Sequence, residues 1–141
     1  MNLFTNLFSK QKSKEHTIFI VDDNEVYAML LQEFLMLRFP KIHKIKHFVT
    51  GEECIKELDK NPSVVIMDHL LNKNQTDAAT GLSIIKKIKT VKPNTNVILL
   101  SGQKEIEVVS KTIAKYGAVY IPKGDEAFNT IEKHVKQFLK K

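Results

Sequence analysis

Three carboxylates, one hydroxyl and one ammonium each stand behind a short apolar run. Ile18-Phe19-Ile20-Val21 leads into Asp22-Asp23, and Val64-Val65-Ile66-Met67 leads into Asp68. Asn96-Val97-Ile98-Leu99-Leu100 leads into Ser101, and Ala118-Val119-Tyr120-Ile121 leads into Pro122-Lys123. Brought to one point, these groups suit a divalent cation and a phosphoryl group. Clustered carboxylates raise one another's pKa, and a cation removes that conflict. Oxygen-only ligands favour Mg2+, which takes six ligands at roughly 2.0–2.1 Å and keeps several waters. In this reading Asp23 and Asp68 are direct ligands, and Asp22 acts through water or as an acceptor behind the direct ligands. The backbone carbonyl of Leu70 is a further candidate oxygen. Asp68 is also the candidate nucleophile, because a carboxylate can attack phosphorus and form an acyl phosphate. In such a transfer the protein mainly positions groups and neutralises charge on the equatorial oxygens. Lys123 would meet one of those oxygens as a point charge, and the Ser101 hydroxyl would hold another.

The elements that must position these residues can be read from the same runs. Continuous β-branched stretches are the signature of strands buried on both faces of a parallel sheet. The strands expected are 17–22, 45–49, 64–68, 96–100 and 118–121. Between the first two, Asn24 is a helix cap, and Val26, Met29, Leu30, Phe34 and Leu37 recur with a helical period up to Pro40. Thr50 caps the next helix, with Glu53 three residues on; Cys54, Ile55 and Leu58 face inward and Asn61-Pro62 ends it. Gly81 to Val91 follows a polar loop over 69–80. Glu105 to Tyr116 is a further helix that stops at Gly117. A last helix, 125–139, places Phe128, Ile131, Val135 and Phe138 on one face.

Strand and helix thus alternate five times, which implies a parallel sheet between two helical layers. Right-handed crossovers leave few arrangements. The expected fold is an α/β, flavodoxin-like three-layer sandwich with strand order 2-1-3-4-5. That order puts the first and third strands side by side at the switch point, where ligands bind beyond the carboxyl ends. Asp22, Asp23 and Asp68 meet there by topology alone. An acidic pair by itself is a weak signal of a helix start; an acidic pair plus an aspartate on the adjoining strand is far more specific.

Length and composition set the outer limits. The chain has 141 residues, enough for one core. We expect residues 1–14 to be a flexible basic extension and 15–141 to be the domain. Leu3, Phe4, Leu7 and Phe8 give the extension helical spacing, though it is too short to be a stable helix alone. Cys54 is the only cysteine, so no internal disulfide can form, in keeping with a cytoplasmic setting. The net charge of +6 raises the question of nucleic acid. Lysines are scattered, however, and Arg38 is the only arginine. That pattern reads as solvated faces rather than a recognition surface.

In these residues the chain resembles the CheY-like receiver domains of bacterial two-component response regulators, over about residues 15–141. The acidic pair of that family falls on Asp22 and Asp23, the phosphoacceptor on Asp68, the hydroxyl residue on Ser101 and the lysine on Lys123. Its aromatic switch, three residues before the lysine, falls on Tyr120. The resemblance implies a Mg2+-dependent phosphorelay: a histidine kinase or histidine phosphotransfer protein offers phosphohistidine and Asp68 takes the phosphoryl group. Ser101 then moves toward the phosphate and Tyr120 turns inward. The face made by helix 105–116, the fifth strand and the last helix changes its preference for a downstream protein. Homodimerisation through that face is common in the family. The chain departs from the family pattern at Lys123, which is preceded by Pro122 and followed by Gly124 where the family usually has proline after the lysine. His69 and Leu70 follow Asp68 directly, and Leu70 and Gln103 flank the expected path of a hydrolytic water.

The reading favoured is a stand-alone receiver without a DNA-binding domain, a phosphoacceptor rather than an enzyme. A receiver-like interaction module that is never phosphorylated is the alternative, and the intact Asp23, Asp68 and Lys123 argue against it. A phosphatase would need a second general acid. A flavin-binding protein of this topology would need a hydroxyl-rich phosphate loop where Asp22-Asp23-Asn24 stands.

Overall fold

Successive residues of each inner strand reach opposite faces of the sheet, and both faces are covered. The structure is a computed structural model that describes residues 15–69, 81–102 and 114–140. Its strands are β1 (His16–Val21), β2 (Ile42–Phe48), β3 (Val64–Asp68), β4 (Asn96–Ser101) and β5 (Val119–Pro122). All pairings are parallel, in the order β2-β1-β3-β4-β5. The helices among the described residues are α1 (Glu25–Arg38), α2 (Gly51–Lys56), α3 (Gly81–Val91) and α4 (Ala127–Leu139), with a short 3-10 turn at Leu58–Lys60. The expected flavodoxin-like sandwich is therefore the fold observed.

Ile18, Ile20, Ile66, Ile98 and Leu100 pack on one side against Ala28, Leu31 and Leu35 of α1 and Ile131 and Val135 of α4. Phe19, Val21, Met67, Val97 and Leu99 pack on the other side against Cys54 of α2 and Ile84, Ile85 and Ile88 of α3. Each such aliphatic side chain contributes about 1.5–3 kcal/mol when fully buried. Two apolar faces explain why the inner strands read as unbroken apolar runs.

The local signals act as the sequence predicts. Asn24 Oδ1 accepts from the Tyr27 N–H at 3.1 Å, and Thr50 Oγ1 accepts from the Glu53 N–H at 3.2 Å. Gly117 sits at φ +70°, where a side chain would be strained. Strand β2 begins at Ile42, three residues earlier than expected. Its register with β1 slips between His16 and Thr17, so that Ile42 pairs with His16 and Lys44 with Thr17. A charged edge strand of this kind carries too few apolar residues to mark its own start. The last helix begins at Ala127 rather than Asp125. The extension 1–14, most of helix 105–116, Leu70 and Gln103 lie outside the described residues.

The helical stripe of α1 is not the buried face. Val26, Met29, Leu30 and Leu37 are all exposed, Leu37 to 84%, and Phe34 alone of the stripe packs against the core. The helix is apolar nearly all round (EVYAMLLQEFLMLR), so periodicity cannot select the inward side. Among the described residues, no helix is long and apolar enough to cross a membrane.

Candidate phosphoacceptor site

The strand ladders fix each residue of the site one step beyond the sheet. The Asp22 N–H still donates to the Phe48 carbonyl at 3.0 Å, the His69 N–H to the Leu100 carbonyl at 2.8 Å, and the Lys123 N–H to the Ser101 carbonyl at 2.9 Å. The chain leaves each strand only after these bonds are made, so the following side chains start from fixed positions. Gly81, the first residue of α3, closes the site from below: its N–H donates to the His69 carbonyl at 2.9 Å. A methyl group added there would stand 2.8 Å from Leu99 Cδ1 and 2.9 Å from the Asp68 carbonyl oxygen. Only glycine lets α3 start so close to the end of β3.

Carboxylate oxygens of Asp22, Asp23 and Asp68 lie within 4.8 Å of one another. Asp22 is buried, with Oδ1 accepting from the Asn24 N–H at 2.8 Å and Oδ2 accepting from Lys123 Nζ at 3.1 Å. Lys123 Nζ also stands 3.7 Å from Asp68 Oδ2, whose side chain is 8% exposed. Asp23 is partly exposed. The donor set is all oxygen and its charge exceeds what one lysine offsets, which fits a hard divalent cation. Both Asp22 oxygens already accept hydrogen bonds, from the Asn24 N–H and from Lys123 Nζ. Ser101 is buried at the end of β4, beside the Lys123 backbone. Tyr120 is half-buried against the α2–α3 side of the core, and its hydroxyl donates to the Ser101 carbonyl at 3.4 Å.

The model of the response regulator receiver domain family matches residues 18–136. The chain belongs to this family. Solved receivers share its fold. The signal receiver domain of a DNA-binding response regulator from Colwellia psychrerythraea 34H is 26% identical with a TM-score of 0.76, covering 90% of this chain and 100% of that one. A response regulator from Chloroflexus aurantiacus J-10-fl is 26% identical with a TM-score of 0.72, over 91% and 100% of the two chains. The regulator DrrB of Thermotoga maritima, an OmpR/PhoB homologue, is 27% identical with a TM-score of 0.73; this receiver covers 54% of it. No curated protein matches the chain.

The receiver's site also contains groups that the sequence did not single out. His47 Nε2 donates to the Asp22 carbonyl at 2.7 Å; a carbonyl only accepts, so Nε2 carries the hydrogen. This bond ties the edge strand to the turn that carries the acidic pair. Tyr27 faces Lys123, with Nζ 4.1 Å from its ring centroid. Its hydroxyl is pushed up to about 12, first by burial and then by the carboxylates of Asp22 and Asp68. Neither contact could be found from spacing, because each joins residues brought together only by the sheet. The loop after β5 holds no cis bond, and no peptide bond among the described residues is cis.

Proposed function

We propose that Asp68 accepts a phosphoryl group from the phosphohistidine of a histidine kinase or histidine phosphotransfer protein, in a Mg2+-dependent step, and that the receiver then changes its protein contacts. One observation carries this reading: three clustered carboxylates share a site with a lysine whose Nζ is 3.7 Å from Asp68 Oδ2. Asp68 attacks phosphorus in line with the scissile P–N bond. That bond breaks, and its electron pair returns to the imidazole nitrogen of the donor. Asp23 and Asp68 would hold Mg2+, which would supply positive charge to the transferring phosphoryl group. Lys123 shifts from the carboxylate to one equatorial oxygen, and the Ser101 hydroxyl donates to another.

The new bonds bias a two-state element. Movement of Ser101 disturbs the Tyr120 contact to its carbonyl, and Tyr120 turns further inward. The surface around β5 and α4 thereby alters its affinity for a downstream protein or for a second receiver. The exposed Val26, Met29 and Leu30 of α1 offer the donor an apolar surface close to the acidic pair. In this reading the receiver works in the cytoplasm, where Cys54 stays reduced.

Incubation with Mg2+ and phosphoramidate, followed by intact mass measurement, tests the proposal. The expected result is a gain of one phosphoryl group that is absent in Asp68→Asn. No gain from phosphoramidate or acetyl phosphate would refute it and favour a fixed interaction module.

A further inference from the structure

Lysine is a flexible point charge on a four-carbon stem, and a phosphoryl site needs that charge held still. The backbone of Lys123 is fixed by its N–H bond to the Ser101 carbonyl, which leaves the four-carbon stem beyond it to be restrained separately. Pro122 precedes Lys123, Gly124 follows, and a methyl group built on Gly124 would meet nothing within 4 Å. The ammonium is bounded by side chains from elsewhere. Asp22 Oδ2 lies at 3.1 Å, Asp68 Oδ2 at 3.7 Å, and the face of the Tyr27 ring covers it with a centroid distance of 4.1 Å. An ammonium over an aromatic face is attracted by the ring quadrupole, more strongly where water is excluded.

The ring itself is fixed. Tyr27 meets Phe128 edge to face, with centroids 5.5 Å apart and planes at 72°. Phe128 in turn packs on Phe34, 5.2 Å away. Phe128 belongs to α4 and Tyr27 and Phe34 belong to α1, so two helices set the angle of the ring. The Tyr27 hydroxyl is buried and has no hydrogen-bond partner among the described residues. The ring face is what touches the site.

We infer that Tyr27 is a positioning residue for the phosphoryl-transfer step, its ring face holding the Lys123 ammonium beside Asp68. The inference rests on the phosphoacceptor reading, and it makes two separate demands. The ring face must be present, and the hydroxyl must be dispensable. Removal of the face frees the ammonium to leave Asp68, so the transition-state charge is met less often while the carboxylates that would bind Mg2+ are untouched.

The test uses the full chain with Tyr27→Phe and Tyr27→Leu. Phosphorylation by phosphoramidate should proceed at the wild-type rate in Tyr27→Phe and fall roughly 3- to 30-fold in Tyr27→Leu. Mg2+ affinity, read by calorimetric titration, should stay within about twofold in both. NMR of labelled lysine should show ring-current shifts at the Lys123 methylene next to Nζ in wild type and Tyr27→Phe, and their loss in Tyr27→Leu. This spectroscopic readout does not depend on phosphorylation. If wild type takes no phosphoryl group, the function proposed above fails while the shifts still report the contact. A wild-type rate in Tyr27→Leu would overturn the positioning role. So would a slow Tyr27→Phe, which would place the effect in the hydroxyl.

Discussion

Lys123 reaches Asp22 across 101 positions of sequence, with Nζ 3.1 Å from a carboxylate that is 2% exposed. One ammonium thus offsets the most deeply buried charge of the acidic cluster and stands ready for Asp68. The balance of charge at the site, rather than any single contact, governs how substitutions there will behave.

Asp68→Asn should remove phosphorylation and stabilise the fold. It deletes one of three mutually repelling carboxylates while keeping the side-chain shape. We expect a gain of about 1 kcal/mol, the size of the interaction of two unit charges about 4 Å apart in water. Urea unfolding without Mg2+ measures it; a loss of stability would contradict the repulsion argument.

Lys123→Met should do the opposite. Asp22 keeps its bond from the Asn24 N–H but loses its cation, at a cost of about 1–3 kcal/mol. Phosphorylation should slow sharply. Thermal melts and intact-mass kinetics read the two effects separately, and an unchanged melting temperature would mean that Asp22 is satisfied without the lysine.

Mg2+ should raise the melting temperature of wild type. A ligand that binds only the folded state at 100 times its Kd stabilises by about 2.7 kcal/mol. Asp23→Ala removes a direct carboxylate and should abolish most of that shift, whereas a substitution at exposed Glu52 should leave it intact. An unaltered shift in Asp23→Ala would reassign the ligand set.

Gly81→Ala should destabilise by about 1–3 kcal/mol, the usual range for overpacking a tight contact. The new methyl group would press on the Asp68 carbonyl and on Leu99, so phosphorylation should fall as well. Equilibrium unfolding and the mass assay together check this, and a variant with normal stability would show that α3 can shift freely.

Burial and the carboxylate of Glu57 push the Cys54 thiol from its ordinary value near 9 up to about 12. The folded chain therefore keeps a proton there that the unfolded chain loses as pH rises past about 9. In that window the unfolded state binds fewer protons, so stability falls with rising pH. Tyr27, also raised, acts in the same direction above about pH 10. Denaturant midpoints between pH 8 and 11 should decline, and a thiol reagent at pH 8 should label Cys54 only at the rate of unfolding. Rapid labelling under native conditions would refute the burial.

The strand ends were legible because a buried parallel strand must be apolar on both sides and its first polar residue marks where the sheet stops. Asp22, Asp68, Ser101 and Lys123 stand out for that reason. Topology then put the first two together without any distance being known. The inward face of α1 was not legible, since Val26, Met29, Leu30 and Leu37 mimic a core stripe that tertiary packing leaves outside. The β2 edge hid its start in alternating charge. The partnership of Tyr27 with Lys123 left no trace in spacing, because a residue one turn after the acidic pair gives no sign of which distant strand end it will face. His47 on the Asp22 carbonyl was hidden in the same way.

The strand order has a consequence for synthesis. The three acids precede β4 in the sequence, whereas their counter-charge follows β5, the last of the five strands of this sheet to be made. A nascent chain that has made β1, β2 and β3 therefore gathers negative charge with nothing to balance it. The centre is completed only when β5 docks against β4 and brings Lys123 to the acids.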